Sequence, residues 1–346
     1  MVRVGVIGSG YAGAELVRYL LQHPGVEITY LASKTYAGKP LSEAYPSLIG
    51  SELPLCEEYD VEVAADRADF FFQTNKDGAG MKIAPGLLEF GKNVVDVPAD
   101  FRLKDPALYE RYYRAEHTAK ELLAEAVYGV SELHPDEIAA ARLVANPGCY
   151  ATGAILALAP PISHQLVKLD SVVIDSKSGA SGAGRSKLSV AGMFCEINEG
   201  FRAYSVGTHA HTPEIEQELT RLAGREVVVS FTPHLVPMNR GILTTAYGES
   251  TRAVATSELV ALFREFYEGK PFVAVLDEGA QPNTKNVFGT NYCHIGVVSD
   301  QRTGRVIVTS AIDNMGKGAA GQAVQNMNLM CGLDEDTGLT ATAVYP

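Results

Sequence analysis

A cysteine that follows a Pro-Gly turn and opens an apolar run is placed to act as a nucleophile. Asn146-Pro147-Gly148-Cys149-Tyr150-Ala151-Thr152 has this form: a short strand, a turn, then Cys149 at the start of a helical stretch. A helix N-terminus stabilises a thiolate through its dipole and free backbone N–H groups, and the thiolate is the reactive form. Cys56, Cys195, Cys293 and Cys331 lack that setting and read as packing residues. His209-Ala210-His211-Thr212-Pro213-Glu214 supplies the close pair among eight histidines, ahead of a helix for which Thr212 is a good N-cap and Pro213 a good first residue. The two rings, separated by Ala210 on an extended segment, share one side. No third ligand follows at a metal-binding spacing, so acid/base work is favoured over metal, with Glu214 able to orient an imidazole.

Gly8-Ser9-Gly10-Tyr11-Ala12-Gly13 matches the dinucleotide fingerprint, with a strand before it and a helix after it. Gly8 would allow the tight turn, Gly10 the approach of a pyrophosphate to the backbone, and Gly13 the packing of helix on strand. NAD enzymes usually carry an acidic residue about 20 positions further on. Here the second strand ends in Ser33-Lys34. A hydroxyl and an ammonium suit a 2′-phosphate, so NADPH is favoured over NADH. Near the chain end, Gln322 and Asn326 stand four residues apart and share a helix face behind the small residues Gly318 to Gly321. Asn326 is expected to lie against the nicotinamide end of the cofactor.

These groups need rigid elements to hold them. Strands are expected over 2–7, 26–32, 69–72, 93–97 and 143–145, alternating with amphipathic stretches such as 14–23; this is the pattern of βαβ units and a largely parallel sheet. From Cys149 onward the expected strands are longer, over 171–176, 226–233, 241–248, 272–276, 292–298 and 305–311. Helices are expected over 213–222 and 256–267, so the second part reads as α+β with a mixed or antiparallel sheet. A last helix is expected over 319–331. The boundary falls near residue 148.

Composition excludes several classes. At 346 residues the chain suits about two domains. Forty-six per cent hydrophobic and 20% charged residues indicate a globular chain, and 29 basic against 41 acidic residues give −12, so nucleic acid is not an expected partner. Five scattered cysteines without a Cys-x-x-Cys pair fit a reducing compartment. The N-terminus reads as a strand running into a glycine turn, not an export signal. The longest apolar run, 151–162, falls short of the roughly 20 residues of a membrane span. A cytoplasmic, soluble protein without membrane partners is expected.

Seven ordered motifs carry a resemblance that spans nearly the whole chain. They are Gly10-Tyr-Ala-Gly-Ala-Glu-Leu16, Ala99-Asp-Phe-Arg-Leu103, Asn146-Pro-Gly-Cys-Tyr-Ala-Thr152, Lys177-Ser-Gly-Ala-Ser-Gly-Ala-Gly-Arg185, His211-Thr-Pro-Glu-Ile-Glu-Gln217, Pro233-His-Leu-Val-Pro-Met-Asn-Arg-Gly241 and Gly318-Ala-Ala-Gly-Gln-Ala-Val-Gln-Asn326. The sequence resembles the N-acetyl-γ-glutamyl-phosphate reductases, within the aspartate-semialdehyde dehydrogenase-like group. The resemblance implies an α/β fold: an NADP-binding Rossmann domain of residues 1–148 plus 314–346, and an α+β catalytic and dimerisation domain of residues 149–313. It implies reduction of an acyl phosphate to an aldehyde with NADPH in arginine biosynthesis, by a homodimer or homotetramer. Cys149 would be the nucleophile and His211 the acid/base, with His209 and Glu214 beside it. Arg102, Arg185 and Arg202, with Arg240 a further candidate, would meet the substrate's anionic groups, and Arg102 is the first choice. Ser178, Gly179, Ser181 and Gly182 would join Gly8 to Gly13, Ser33, Lys34 and Asn326 at the cofactor.

The chain departs from the family pattern in three places. Its glycine loop is one residue shorter than the common Gly-x-x-Gly-x-x-Gly, Ala210 replaces the arginine of a His-Arg-His segment, and both the 73–78 loop and Pro98 are atypical. Rival readings are the same chemistry on an N-acyl-aminoadipyl phosphate of lysine biosynthesis, a non-catalytic NADPH-binding sensor, and a cysteine hydrolase or acyltransferase. The last leaves the glycine fingerprint unexplained.

Overall fold

A computed structural model describes residues 1–185 and 192–345. The chain forms two compact units. One holds Met1–Pro147 and Ala319–Ala341, with Arg185 packed into it; the other holds Gly148–Ala183, the described residues from 192 to 318, and the chain end from Thr342.

The first unit is built on a seven-stranded sheet of β1 (Val2–Ile7), β2 (Val26–Ala32), β3 (Cys56–Glu57), β4 (Phe70–Gln73), β5 (Asn93–Asp96), β6 (Val127–Tyr128) and β7 (Leu143–Ala145). Its order is β3-β2-β1-β4-β5-β7-β6 and every pairing is parallel. Strands such as β4, buried along its whole length, are apolar because helices cover both faces of such a sheet. Those helices are α1 (Tyr11–Leu20), α2 (Val61–Arg67), α3 (Gly80–Glu89), α4 (Pro106–Tyr113), α5 (Leu122–Glu125) and α6 (Pro135–Ala140). The order reverses between β1 and β4, the crevice where such sheets bind dinucleotides. Helix α1 begins at Tyr11 and ends at Leu20, not at Ala14 and His23, so Tyr11 and Ala12 belong to its first turn. Helix α3 escapes the sequence reading because Gly80, Pro85 and Gly86 interrupt its apolar pattern.

The second unit is built on β8 (Val172–Ser178), β9 (Arg202–Ala203), β10 (Val229–Leu235), β11 (Ile242–Glu249), β12 (Val273–Val275), β13 (Cys293–Asp300) and β14 (Arg305–Ile312), in the order β12-β13-β14-β11-β8-β10-β9. The sheet is mixed: β8 with β10 and β12 with β13 run parallel, and the remaining pairs are antiparallel. Its helices are α7 (Cys149–Ser163), α8 (Phe194–Ile197), α9 (Thr212–Ala223) and α10 (Thr256–Phe266). Alternation along β8, with Val172 and Ile174 buried and Val173 exposed, marks one packed face. Helix α7, buried from Tyr150 to Ile162, packs against β11, β14, α9 and α10. A π-helical turn over Gly316–Ala320 leads into α11 (Gly321–Met330), which is therefore shorter at both ends than the expected 319–331. No helix among the described residues is long and apolar enough to cross a membrane.

Candidate active site

The nucleophile candidate lies at a bare helix end. Cys149 is the first residue of α7, Gly148 is its extended N-cap without a side-chain cap, and the run of Ala and Leu that follows has high helix propensity. The first bond of the ladder runs from the Thr152 N–H to the Gly148 carbonyl at 2.9 Å, so the amides of Cys149, Tyr150 and Ala151 have no acceptor inside the helix. The Gly148 N–H donates instead to Glu214 Oε1 at 2.6 Å. Glu214 is 1% exposed and sits in the first turn of α9. One bond thus ties the start of the cysteine's helix to the start of the helix that His211 precedes, a connection the sequence reading missed.

Thr212 does not cap α9, because it is itself the first helical residue and its buried hydroxyl has no partner. His211 holds the N-cap position with helical φ and ψ. The His211 backbone N–H donates to His209 Nδ1 at 3.1 Å, which leaves Nε2 of a neutral His209 carrying the proton. The two rings meet edge to face with centroids 4.7 Å apart. Tyr150 stands 5.5 Å from the His209 ring and 5.9 Å from the His211 ring, and Tyr204 and Phe231 complete the aromatic wall around His209. Tyr204 donates to the Tyr150 hydroxyl at 3.0 Å and Tyr150 to the His234 carbonyl at 3.2 Å. Burial, then Tyr204, pushes the Tyr150 phenol far above its ordinary range, so it remains a neutral donor.

The 178–182 loop is fixed from beneath. An added Cβ at Gly179 would come within 2.8 Å of the Asn239 and Arg240 main chain, which restricts that position to glycine. Ser178 is buried and donates to the Gly179 carbonyl at 3.0 Å, and Ser181 accepts from Asn314 Nδ2 at 2.9 Å. Gly182 lies beside both, with Ser178 Oγ and Asn314 Nδ2 the nearest atoms to a Cβ added there. Arg240 donates through Nε and Nη2 to Oδ1 of the fully buried Asp313, which also takes the Met315, Gly316 and Gly289 amides. Gly318 follows in the π turn, and a Cβ added there would stand 2.9 Å from that of Cys149.

In the first unit the glycines divide the work as their positions suggest. Gly8 adopts φ +118°, and an added Cβ would meet Thr74 Oγ1 at 2.5 Å. One at Gly13 would meet the Gly8 carbonyl oxygen at 2.2 Å, whereas Gly10 has nothing within 4 Å. The open space is therefore at the N-cap of α1, which carries no side-chain cap bond. Ser9 and Ser33 share a hydroxyl bond of 2.7 Å, and Ser33 also accepts the Tyr36 N–H at 3.3 Å. Lys34 is exposed at the end of β2. An uncapped helix end, space at Gly10 and a cation in place of a carboxylate fit a dinucleotide with a 2′-phosphate.

Arg102, Asn326 and Arg185 are placed differently from expectation. Arg102 is buried, and its Nε and Nη2 donate to the Asn146 carbonyl at 2.8 Å and the Val97 carbonyl at 2.7 Å, so it braces the strand that leads to Cys149. Asn326 is 0% exposed. Its Nδ2 donates to the Gly129 carbonyl at 3.0 Å and Asn146 Oδ1 at 3.2 Å, and its Oδ1 accepts from Ser131 at 2.7 Å. The amide expected at the nicotinamide is spent inside the first unit, because the buried face of α11 needs polar partners of its own. Arg202 is exposed on β9 and reaches the Glu196 carbonyl at 3.4 Å. Arg185 lies over Tyr45 and Tyr36 in the first unit.

Comparison with known proteins identifies this arrangement. Residues 3–141 match the semialdehyde dehydrogenase NAD binding domain and residues 149–314 the semialdehyde dehydrogenase dimerisation domain. An N-acetyl-gamma-glutamyl-phosphate reductase of Pelotomaculum thermopropionicum is 52% identical over 346 residues, covering 100% of this chain and 99% of that one. The chain belongs to the N-acetyl-gamma-glutamyl-phosphate reductase family. The reductase of Geobacter sulfurreducens is 50% identical, with both chains covered in full. Among solved structures, aspartate semialdehyde dehydrogenase II of Vibrio cholerae in complex with ASA superposes with a TM-score of 0.73 at 17% identity, over 96% of this chain and 98% of that one. The enzyme of Candida albicans with NADP gives 0.70 at 18%, over 96% and 98%. These two structures establish a shared fold, α/β with one parallel and one mixed sheet. For this family, a small-molecule substrate and oligomer formation follow.

Proposed function

We propose that this chain reduces N-acetyl-γ-glutamyl phosphate to N-acetylglutamate 5-semialdehyde and phosphate with NADPH, in the cytoplasm, as a step of arginine biosynthesis. Full-length identity of about half to named reductases supports the substrate. The observation that carries the assignment of the site is the Glu214 to Gly148 bond, since it joins the starts of the helices that bear Cys149 and His211. In this reading the first unit, Met1–Pro147 with Ala319–Ala341, is the cofactor domain, narrower than the expected 1–148 plus 314–346, and the second unit is the catalytic domain, expected over 149–313, through which a homodimer or homotetramer assembles.

Cys149, as thiolate at the N-terminus of α7, attacks the acyl carbon; the C–S bond forms, the C–O bond to phosphate breaks, and phosphate leaves with its electron pair. NADPH, when bound, supplies the hydride that this thioester accepts. Gly8, Ser9, Gly10, Tyr11, Ala12, Gly13, Ser33 and Lys34 hold the dinucleotide, and Ser178, Gly179, Ser181 and Gly182 line its reacting end. His211 gives a proton to the thiohemiacetal oxygen and takes it back as the C–S bond breaks, which returns Cys149 to thiolate and frees the aldehyde. His209, Glu214 and Tyr150 hold the imidazole in place, and Arg202 offers a cation to the substrate's carboxylate.

The reverse reaction tests this. The protein should reduce NADP⁺ when given phosphate and N-acetylglutamate semialdehyde, and should do so about 10-fold or more better than with the aldehyde one carbon longer. Preference for the longer aldehyde would move the enzyme to the aminoadipyl substrate, and no NADP⁺ reduction with either would leave only cofactor binding.

A further inference from the structure

Arg185 closes a ring of contacts around the end of β2. Its guanidinium carbon lies 4.8 Å from the Tyr45 ring centroid and 5.9 Å from that of Tyr36, and Nη1 reaches the Ala44 carbonyl at 3.4 Å. The Tyr45 hydroxyl donates to the Ser9 carbonyl at 3.0 Å, which ties this aromatic shelf to the glycine loop. Ser9 bonds Ser33, and Ser33 accepts the Tyr36 amide, so the ring returns to its start. Ser33 and Lys34 follow the last residue of β2, the position from which a dinucleotide fold meets the ribose hydroxyls.

Neither Arg185 nor Lys34 forms an ion pair with a carboxylate among the described residues, and both side chains are exposed. Arg185 lies against two tyrosine rings, and its planar guanidinium carries a fork of N–H groups that can grip a planar or tetrahedral oxyanion two at a time. Lys34 beside Ser33 in the chain, and Arg185 against Tyr36, bring two cations and a hydroxyl to the end of β2, where the neighbouring Glu57 carboxylate is already paired with Arg67; this provides what a dianionic phosphate needs. We infer that Arg185, held over Tyr45 and Tyr36, is a specificity residue that binds the 2′-phosphate of the cofactor together with Lys34. This replaces the substrate role that its motif suggests, and it rests on NADPH being the cofactor.

The adenosine half of the cofactor isolates the contact. Titration calorimetry on the full chain should show adenosine 2′,5′-bisphosphate binding more tightly than 5′-AMP. Arg185→Met should weaken the bisphosphate at least about tenfold, the loss of one charge-assisted contact, and leave 5′-AMP within about twofold. Arg185→Lys, which keeps charge without the fork, should fall between. An unchanged bisphosphate affinity, or an equal loss for both ligands, would overturn the inference, the second outcome placing Arg185 on the adenine or in loop structure. A wild-type protein that does not prefer the bisphosphate refutes the NADPH reading itself, whatever the variant does.

Discussion

Thiolate chemistry at Cys149 requires only that the sulfur be reachable and its negative charge favoured. The helix N-terminus, whose first amides lack acceptors inside α7, meets the second need, and partial exposure meets the first. Cys149→Ser should therefore abolish reduction while NADPH binding, measured by fluorescence titration, stays within about twofold. Turnover above about one part in 20 would contradict a covalent route. Asp96 illustrates a different residue-scale effect. Its carboxyl is fully buried at the end of β5, Oδ2 has no partner, and burial followed by the charge of Asp100 raises its pKa well above the usual carboxylate range. The folded state then holds a proton that the unfolded chain releases, so this group's stability contribution is full at acid pH and declines as pH rises through its folded pKa. Asp96→Asn should melt higher than wild type at pH 8, by about 2–4 °C for each kcal/mol recovered, with a smaller gain at pH 5. An equal gain at both pH values would mean that ionisation of Asp96 is not involved.

Elements act by where they bring backbone close. The π turn over Gly316–Ala320 presses Gly318 against the first residue of α7, and an added methyl would stand 2.9 Å from Cys149 Cβ and 3.2 Å from its Cα. Neither atom is a flexible side-chain end, so the nucleophile must move. Gly318→Ala should cut kcat by about 100-fold, the cost of roughly an ångström of misplacement, and slow alkylation of Cys149 by a thiol reagent. Unchanged kcat with unchanged alkylation would show that the turn yields instead. Helix α11 offers the contrasting case of an element fixed by polar groups. Asn326→Leu removes the acceptor of the Ser131 hydroxyl and the donor to Asn146 Oδ1 together, and each buried group left unsatisfied costs about 1–3 kcal/mol. The expected result is a urea midpoint lowered by the equivalent of about 2 kcal/mol or more, with cofactor affinity of the folded protein unchanged. A loss of NADPH affinity without a loss of stability would restore the cofactor role first expected of this residue. The helix face holding Gln322 and Asn326 was legible from their spacing. Their partners were not, because Gly129 and Ser131 lie more than 190 residues away in the chain.

At the scale of the whole molecule, the two sheets were legible because each strand class writes its own pattern: continuous apolar runs such as Phe70 to Phe72, buried on both faces, and alternating ones such as β8 with one face packed. Short helices were less so, since α3 carries Pro85 and its own glycines and is held by tertiary packing rather than propensity. At the site, the cysteine and the glycine loop were local signals, whereas Glu214 reaching Gly148 and Arg185 reaching Tyr45 depend on folding. Each unit has its own sheet, and the cofactor residues of the glycine loop and the end of β2 all belong to the first. Ligand that binds only the folded state stabilises it by about 2.7 kcal/mol at a hundred times its Kd. That energy should appear where the contacts are made. Hydrogen exchange with NADPH at this excess should slow most in peptides covering residues 1–34, where β1, α1 and β2 must open for their amides to exchange. Peptides covering 293–312, which form β13 and β14 in the other sheet, should change little. NADH at the same concentration should protect residues 1–34 less, since it lacks the phosphate that Lys34 and Arg185 would hold. Equal protection of both regions would place the cofactor's stabilising contacts outside the glycine loop, and absence of protection in residues 1–34 would remove that loop from the binding site altogether.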